Sequence, residues 1–119
     1  MQNTGQIIFY KTGENSINIE VFFQDETVWL PQKKIAELFG VDRTVITKHL
    51  KNIFESSELS EDSTCAKIAH VQKEGNREVM RDIEFYNLDV IIAVGYRVNS
   101  KQATNFRIWA TNVLKEFIR

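Results

Sequence analysis

Between residues 16 and 23, Ile17, Ile19, Val21 and Phe23 alternate with Asn18, Glu20 and Phe22. A period of two sends alternate side chains to opposite faces, so this run predicts a strand with one face buried. Residues 6–11 are β-branched and aromatic-rich as well. The turn-forming run Thr12-Gly13-Glu14-Asn15 separates the two, which predicts a hairpin. A short apolar segment, Val28-Trp29-Leu30, follows an Asp25-Glu26 turn. The only proline, Pro31, then stands where a first helical residue is tolerated.

From Gln32 the period becomes helical. Ile35, Leu38 and Phe39 form an i, i+3, i+4 stripe, and Gly40 is expected to end that helix. Asp42 suits the N-cap of a second helix, whose stripe is Ile46, Leu50, Ile53 and Phe54. Residues 55–63 are acidic and Ser-rich and read as loop. Residues 65–73 and 77–86 flank Glu74-Gly75-Asn76 and read as a second hairpin. Asn87 is expected to cap a short helix from Leu88 to about Val94, stopped by Gly95. Ser100 is expected to cap a last helix with the stripe Ala103, Phe106, Ala110, Val113, Leu114 and Phe117.

Composition narrows the class. A chain of 119 residues that is 43% hydrophobic can bury a core as one domain. One Cys cannot make an internal disulfide or a zinc-finger cluster. No apolar run reaches the roughly 20 residues that span a bilayer, and the first residues lack the pattern of a secretory signal. A cytoplasmic location without membrane attachment is therefore expected. The net charge of −1 hides an uneven distribution. Residues 31–52 hold five bases and two acids, and residues 97–119 hold five bases and one acid. Residues 53–64 hold four acids and no base. For a polyanionic partner such local patches matter more than the total.

The segment QKKIAELFGVDRTVITKHLK, residues 32–51, meets the requirements of a helix-turn-helix. Ala36 is small where two helices would cross, Gly40 can take positive φ in the turn, and Ile35, Phe39, Val41, Ile46 and Leu50 supply the wedge. That packing leaves Arg43, Thr44, Thr47 and Lys48 as candidate base-reading residues on the second helix. Arg pairs bidentately with guanine O6 and N7, and Thr offers a hydroxyl or a methyl contact. Lys33, Lys34 and Lys51, with Lys73 and Arg77 at the tip of the second hairpin, are candidate phosphate contacts. A hairpin after a recognition helix is the layout of a winged helix. The same residues also fit an ordinary helical corner with a solvated basic face and a plain ionic turn.

The stretches 25–54 and 85–119, with VWL, FYNLDVIIAVGYRV and TNFRIWAT as signatures, resemble the N-terminal part of the RhuM virulence-protein family over nearly the whole chain. Residues 103–114 are also similar to the FRxW motif of Bro-N domains in viral and phage antirepressor-like proteins. The resemblance implies a bacterial or mobile-element protein with a DNA-binding N-terminal domain and a longer full-length chain. The hairpin VQKEGNRE is the part least like the family.

Other features have simpler readings. Phe106 and Trp109 sit at helical core spacing, and Cys65 reads as a structural thiol. His49 and His70 lack neighbours at metal-ligand spacing. No phosphate-cradling Gly loop or nucleophile elbow occurs, so no enzyme activity, metal, cofactor or small-molecule substrate is expected. The expectation is a single α+β domain, residues 1–119: a winged-helix-like helix-turn-helix with an N-terminal hairpin, a wing hairpin and two C-terminal helices. Its expected function is double-stranded DNA binding, as a homodimer, in transcriptional or mobile-element regulation. The alternative is a protein-interaction module presenting Val45, His49 and Asn52.

Overall fold

The computed structural model describes residues 5–12 and 17–117. β1 (Gln6–Lys11), β2 (Asn18–Gln24) and β3 (Thr27–Pro31) come first. Then follow α1 (Gln32–Phe39), α2 (Arg43–Glu55) and the single turn α3 (Glu61–Thr64). β4 (Cys65–Glu74), β5 (Arg77–Asn87), α4 (Leu88–Val98) and α5 (Ser100–Phe117) complete the described chain. The expected α+β class is borne out. The two hairpins, however, join into one five-stranded antiparallel sheet in the order β1-β2-β3-β5-β4.

β3 makes that junction. Trp29, Leu30 and Pro31 pair with Asn87, Tyr86 and Phe85 of β5, while Phe23 and Phe22 of β2 pair with Val28 and Trp29. The Asp25-Glu26 turn that delivers β3 holds both residues at positive φ, 54° and 63°. Two such residues in a two-residue loop give the twist a hairpin favours. The Trp29 indole N–H donates to the Gln24 carbonyl across this turn at 2.9 Å. In the first hairpin, the Thr12 N–H donates to the Ile17 carbonyl at 3.0 Å, and the Thr12 Oγ1 accepts from the Ile17 N–H. Gly13, Glu14 and Asn15 lie outside the described residues.

Alternation decides which sheet face is covered. Ile19, Val21, Val28 and Leu30 are fully buried beneath the helices. They meet Ile35 and Phe39 of α1, Ile46 and Ile53 of α2, Ile91 and Val94 of α4, and Phe106 of α5 in one cluster. Fully burying an Ile or Leu contributes about 1.5–3 kcal/mol, so these aliphatics dominate the stability. Tyr10 closes one end against Phe106 and Trp109, with ring centroids 5.1 and 5.0 Å away. The opposite face of β1 leaves Ile7 and Phe9 more than half exposed.

Four boundaries differ from the sequence expectation. Pro31 ends β3 and stands at the N-cap of α1 rather than inside it, because β3 pairs up to that residue. The segment 55–63 is not all loop, since Glu61 begins one helical turn. Asn99, not Ser100, caps α5: its Oδ1 accepts from the Gln102 N–H at 3.2 Å. α4 does not stop at Gly95 but runs on to Val98. Gly95 is buried there for a packing reason. A Cβ at that position would lie 2.5 Å from Phe39 Cζ and 2.7 Å from Ala103 Cβ. The glycine lets α4 approach α1 and α5, and that contact outweighs its poor helix propensity.

Gly95→Ala therefore tests the packing. Gly→Ala inside an open helix stabilises by roughly 1 kcal/mol. Here overpacking is expected to destabilise by about 1–3 kcal/mol, read as a lowered denaturant midpoint. An unchanged or raised midpoint would contradict the close approach.

Candidate nucleic-acid interface

The corner between α1 and α2 is built by backbone chemistry. Gly40 adopts φ 68° and ψ 37°, the left-handed region glycine tolerates best. Its N–H donates to the Glu37 carbonyl at 3.3 Å, and the Val41 N–H donates to Ala36 at 3.1 Å. These two bonds form a Schellman stop. Asp42 then caps α2: its Oδ2 accepts from the Thr44 N–H at 3.0 Å and from the Thr44 hydroxyl at 2.5 Å. Both bonds hold the Asp42 carboxyl below its ordinary range, the hydroxyl contributing most. Gln32 ties the two helices together. Its amide donates to the Thr47 hydroxyl and, at 3.3 Å, to the Arg43 carbonyl.

The corner turns Ile46, Leu50 and Ile53 inward. Arg43, Thr44, Thr47, Lys48 and Lys51 are exposed on α2, as their spacing predicted. Thr44 and Thr47 are not idle there. The Thr44 hydroxyl donates to Asp42, and the Thr47 hydroxyl bonds the Arg43 carbonyl and Gln32. In the last turn of α2, Phe54 stacks on Tyr86 of β5 with centroids 6.4 Å apart, which sets the helix against the second hairpin.

The phosphate candidates divide into two groups. Lys33 and Lys34 on the first turn of α1 and Lys73 on β4 line one cleft of about 450 Å³, together with Arg43 on α2, a candidate base reader. Lys51 and Arg77 lie elsewhere on the surface, both exposed. The hairpin tip also holds a pair that sequence reasoning missed. Arg81 forks onto Glu74 with bonds of 2.6 and 2.8 Å. Register alone would not have found it: Arg81 shares a face with Glu74 but stands opposite His70, while Glu74 stands opposite Arg77.

The second basic segment is partly spoken for. Arg97 forms an ion pair with Glu58 and donates to the Ala93 carbonyl at 2.9 Å. The Arg107 Nε donates to the Tyr96 hydroxyl at 3.2 Å. Lys101 is exposed. Phe106 is core, and Trp109 packs against it with centroids 5.4 Å apart. Burial pushes the Cys65 thiol up to about 11; the Thr64 hydroxyl partly offsets this, while Glu84, Glu61 and Asp62 add to the rise. A thiol so protonated near neutrality is a poor nucleophile. His49 is half-buried on α2. His70 lines the cleft, and its buried Nδ1 has no hydrogen-bond partner among the described residues. Gln32 and His70 left no signal in the sequence, because each acts through a contact between distant segments.

These parts define an α+β domain with a helix-turn-helix-like corner flanked by a long hairpin. No helix among the described residues is long and apolar enough to cross a membrane. The chain is similar to the virulence protein RhuM family, whose model matches residues 63–119. That match contains β4, β5, α4 and α5, and so includes the hairpin that looked least family-like. The VWL signature and the α1–α2 corner lie before it. No curated protein and no solved structure matches the chain.

The capping carboxylate gives the corner a pH dependence. Because the folded Asp42 carboxyl is depressed, its contribution is present above the unfolded Asp range near pH 3.8 and lost as pH falls through the folded value. Asp42→Asn keeps a capping oxygen but cannot titrate. The melting temperature of Asp42→Asn is expected to fall less than that of the wild type between pH 5 and pH 2, roughly the window of such a carboxylate. Parallel curves would show that the Asp42 charge is not coupled to folding.

Proposed function

We propose that the domain binds double-stranded DNA through α2, with the β4–β5 hairpin as a wing. The observation that carries this reading is the exposed row Arg43, Thr44, Thr47, Lys48 and Lys51 on the second helix of a glycine-stopped corner. The element order adds support. A strand before the corner, β3, pairs with the last strand of the hairpin after it, β5, as in winged helices. In that arrangement α2 enters a major groove about 12 Å wide, and the hairpin reaches the adjoining backbone. The Thr44 and Thr47 hydroxyls spend their protons inside the protein, so they meet bases as acceptors or through their methyl groups. Lys48 supplies a mobile donor beside them.

Cytoplasmic residence and a regulatory role in transcription or a mobile element follow from this reading. So does dimerisation, because one short helix covers only a half-site. A protein-contact module is the second reading. The specific observation in its favour is the pair Ile7 and Phe9 on β1, 53% and 60% exposed. Of the residues offered for that role by the sequence, Val45 and His49 are half-buried on α2 and Asn52 is exposed.

Salt separates the two. DNA binding is expected to weaken linearly in log–log form, with a slope near −0.9 per phosphate neutralised. Lys51→Ala should weaken a selected duplex and a scrambled one alike and make the slope shallower by about 1. Lys48→Ala should cost about 1–3 kcal/mol on the selected duplex alone. Affinity that ignores salt and both substitutions would contradict DNA binding through α2.

A further inference from the structure

The cleft between α1 and the second hairpin has a charge arrangement that folding does not explain. Lys33 and Lys34 occupy the first turn of α1, where the helix dipole favours acids and disfavours cations. That turn holds no acidic residue, and Pro31 at the N-cap makes no side-chain cap bond. Arg43 from α2 and Lys73 from β4 line the same cleft. Against four cations stand two lining carboxylates, Glu20 and Glu84. Among the described residues the one ion pair of these cations is Lys34 with Glu37, at 3.6 Å outside the cleft lining. His70 lies in the wall with its buried Nδ1 unpartnered. Three separate elements thus bring a surplus of positive charge to one concave place, beside the first N–H groups of a helix. An anion held by these four cations would offset that surplus and suit the dipole at the start of α1.

We propose that this cleft is a seat for a phosphoryl anion carrying at least two negative charges, held by Lys33, Lys34, Arg43 and Lys73. A volume of about 450 Å³ falls within the range of small-ligand sites. It holds a phosphate and its ester substituent but not a duplex, whose backbone would enter one phosphate at a time. Arg43 is then a phosphate ligand rather than the guanine reader its position on α2 suggested. The assignment deepens the DNA-binding reading, and its free-anion arm can be judged separately from it.

The test is calorimetric titration of the folded chain with inorganic pyrophosphate at constant ionic strength, and then with a short duplex. Wild type is expected to bind pyrophosphate, and Arg43→Ala and Lys73→Ala each to weaken it roughly tenfold, as loss of a charge-assisted contact does. Lys115→Ala, at an exposed position of α5, controls for total charge and should bind as wild type does. Lys73 stands on an exposed strand away from the core, so its loss cannot be blamed on unfolding of the α1–α2 corner. If both ligands weaken together in the two variants, the DNA backbone uses the seat. If pyrophosphate weakens and the duplex does not, a free phosphate ester is the occupant. No pyrophosphate binding by wild type, or binding indifferent to both substitutions, overturns the seat. Tight pyrophosphate binding without any duplex binding upholds the seat and overturns the DNA reading alone.

Discussion

The pairing of β3 with β5 holds the molecule together in a way no other contact repeats. Three residue pairs, Trp29 with Asn87, Leu30 with Tyr86 and Pro31 with Phe85, are the strand pairing that joins the two hairpins into one sheet. β3 runs straight into α1, and β5 runs straight into α4. Their register therefore fixes where both helices start. Leu30 is fully buried at the centre of this junction. Because side chains alternate, a slip of one residue would turn Val28 and Leu30 out of the core. The α1–α2 corner and the second hairpin keep their relative position through this short ladder. Phe54 on Tyr86 reinforces it from the end of α2.

Around the corner, packing and electrostatics pull in different directions. Gly40, Asp42 and Gln32 satisfy backbone groups and lock α1 to α2 at modest individual gain. The same region gathers Lys33, Lys34, Arg43 and Lys73 against two lining carboxylates, Glu20 and Glu84. A sequence optimised for stability alone would place acids at the start of α1. Local departures of this kind are expected at functional or strained sites. Elsewhere two arginines are neutralised: Arg81 rests on Glu74, and Arg97 on Glu58.

Much of the fold was legible because it depends on local periodicity. The stripe Ile35, Leu38 and Phe39, the stop at Gly40, the cap at Asp42 and the alternation in β2 each answer to neighbours within one turn or one strand. What escaped the sequence depends on distant residues. Gly95 resembles a helix stop until Phe39 and Ala103 are seen against it. The single sheet follows from a β3–β5 pairing across more than fifty residues, which no local pattern encodes. The candidate site divides in the same way. The exposure of Lys48 and Lys51 followed from helical spacing. The meeting of Arg43 with Lys73, and the place of His70, exist only once the hairpin is beside α1.

The central claim is that one face, made by α2, the start of α1 and the second hairpin, receives DNA. The most direct measurement is a residue-by-residue map of amide chemical shifts as a duplex is added to the isotope-labelled chain. The account predicts shifts concentrated at residues 32–34, 43–51 and 70–77, with the buried face of α5 around Ala103, Phe106 and Ala110 unmoved. Shifts confined to β1 around Ile7 and Phe9, or no shifts at all at low salt, would contradict it.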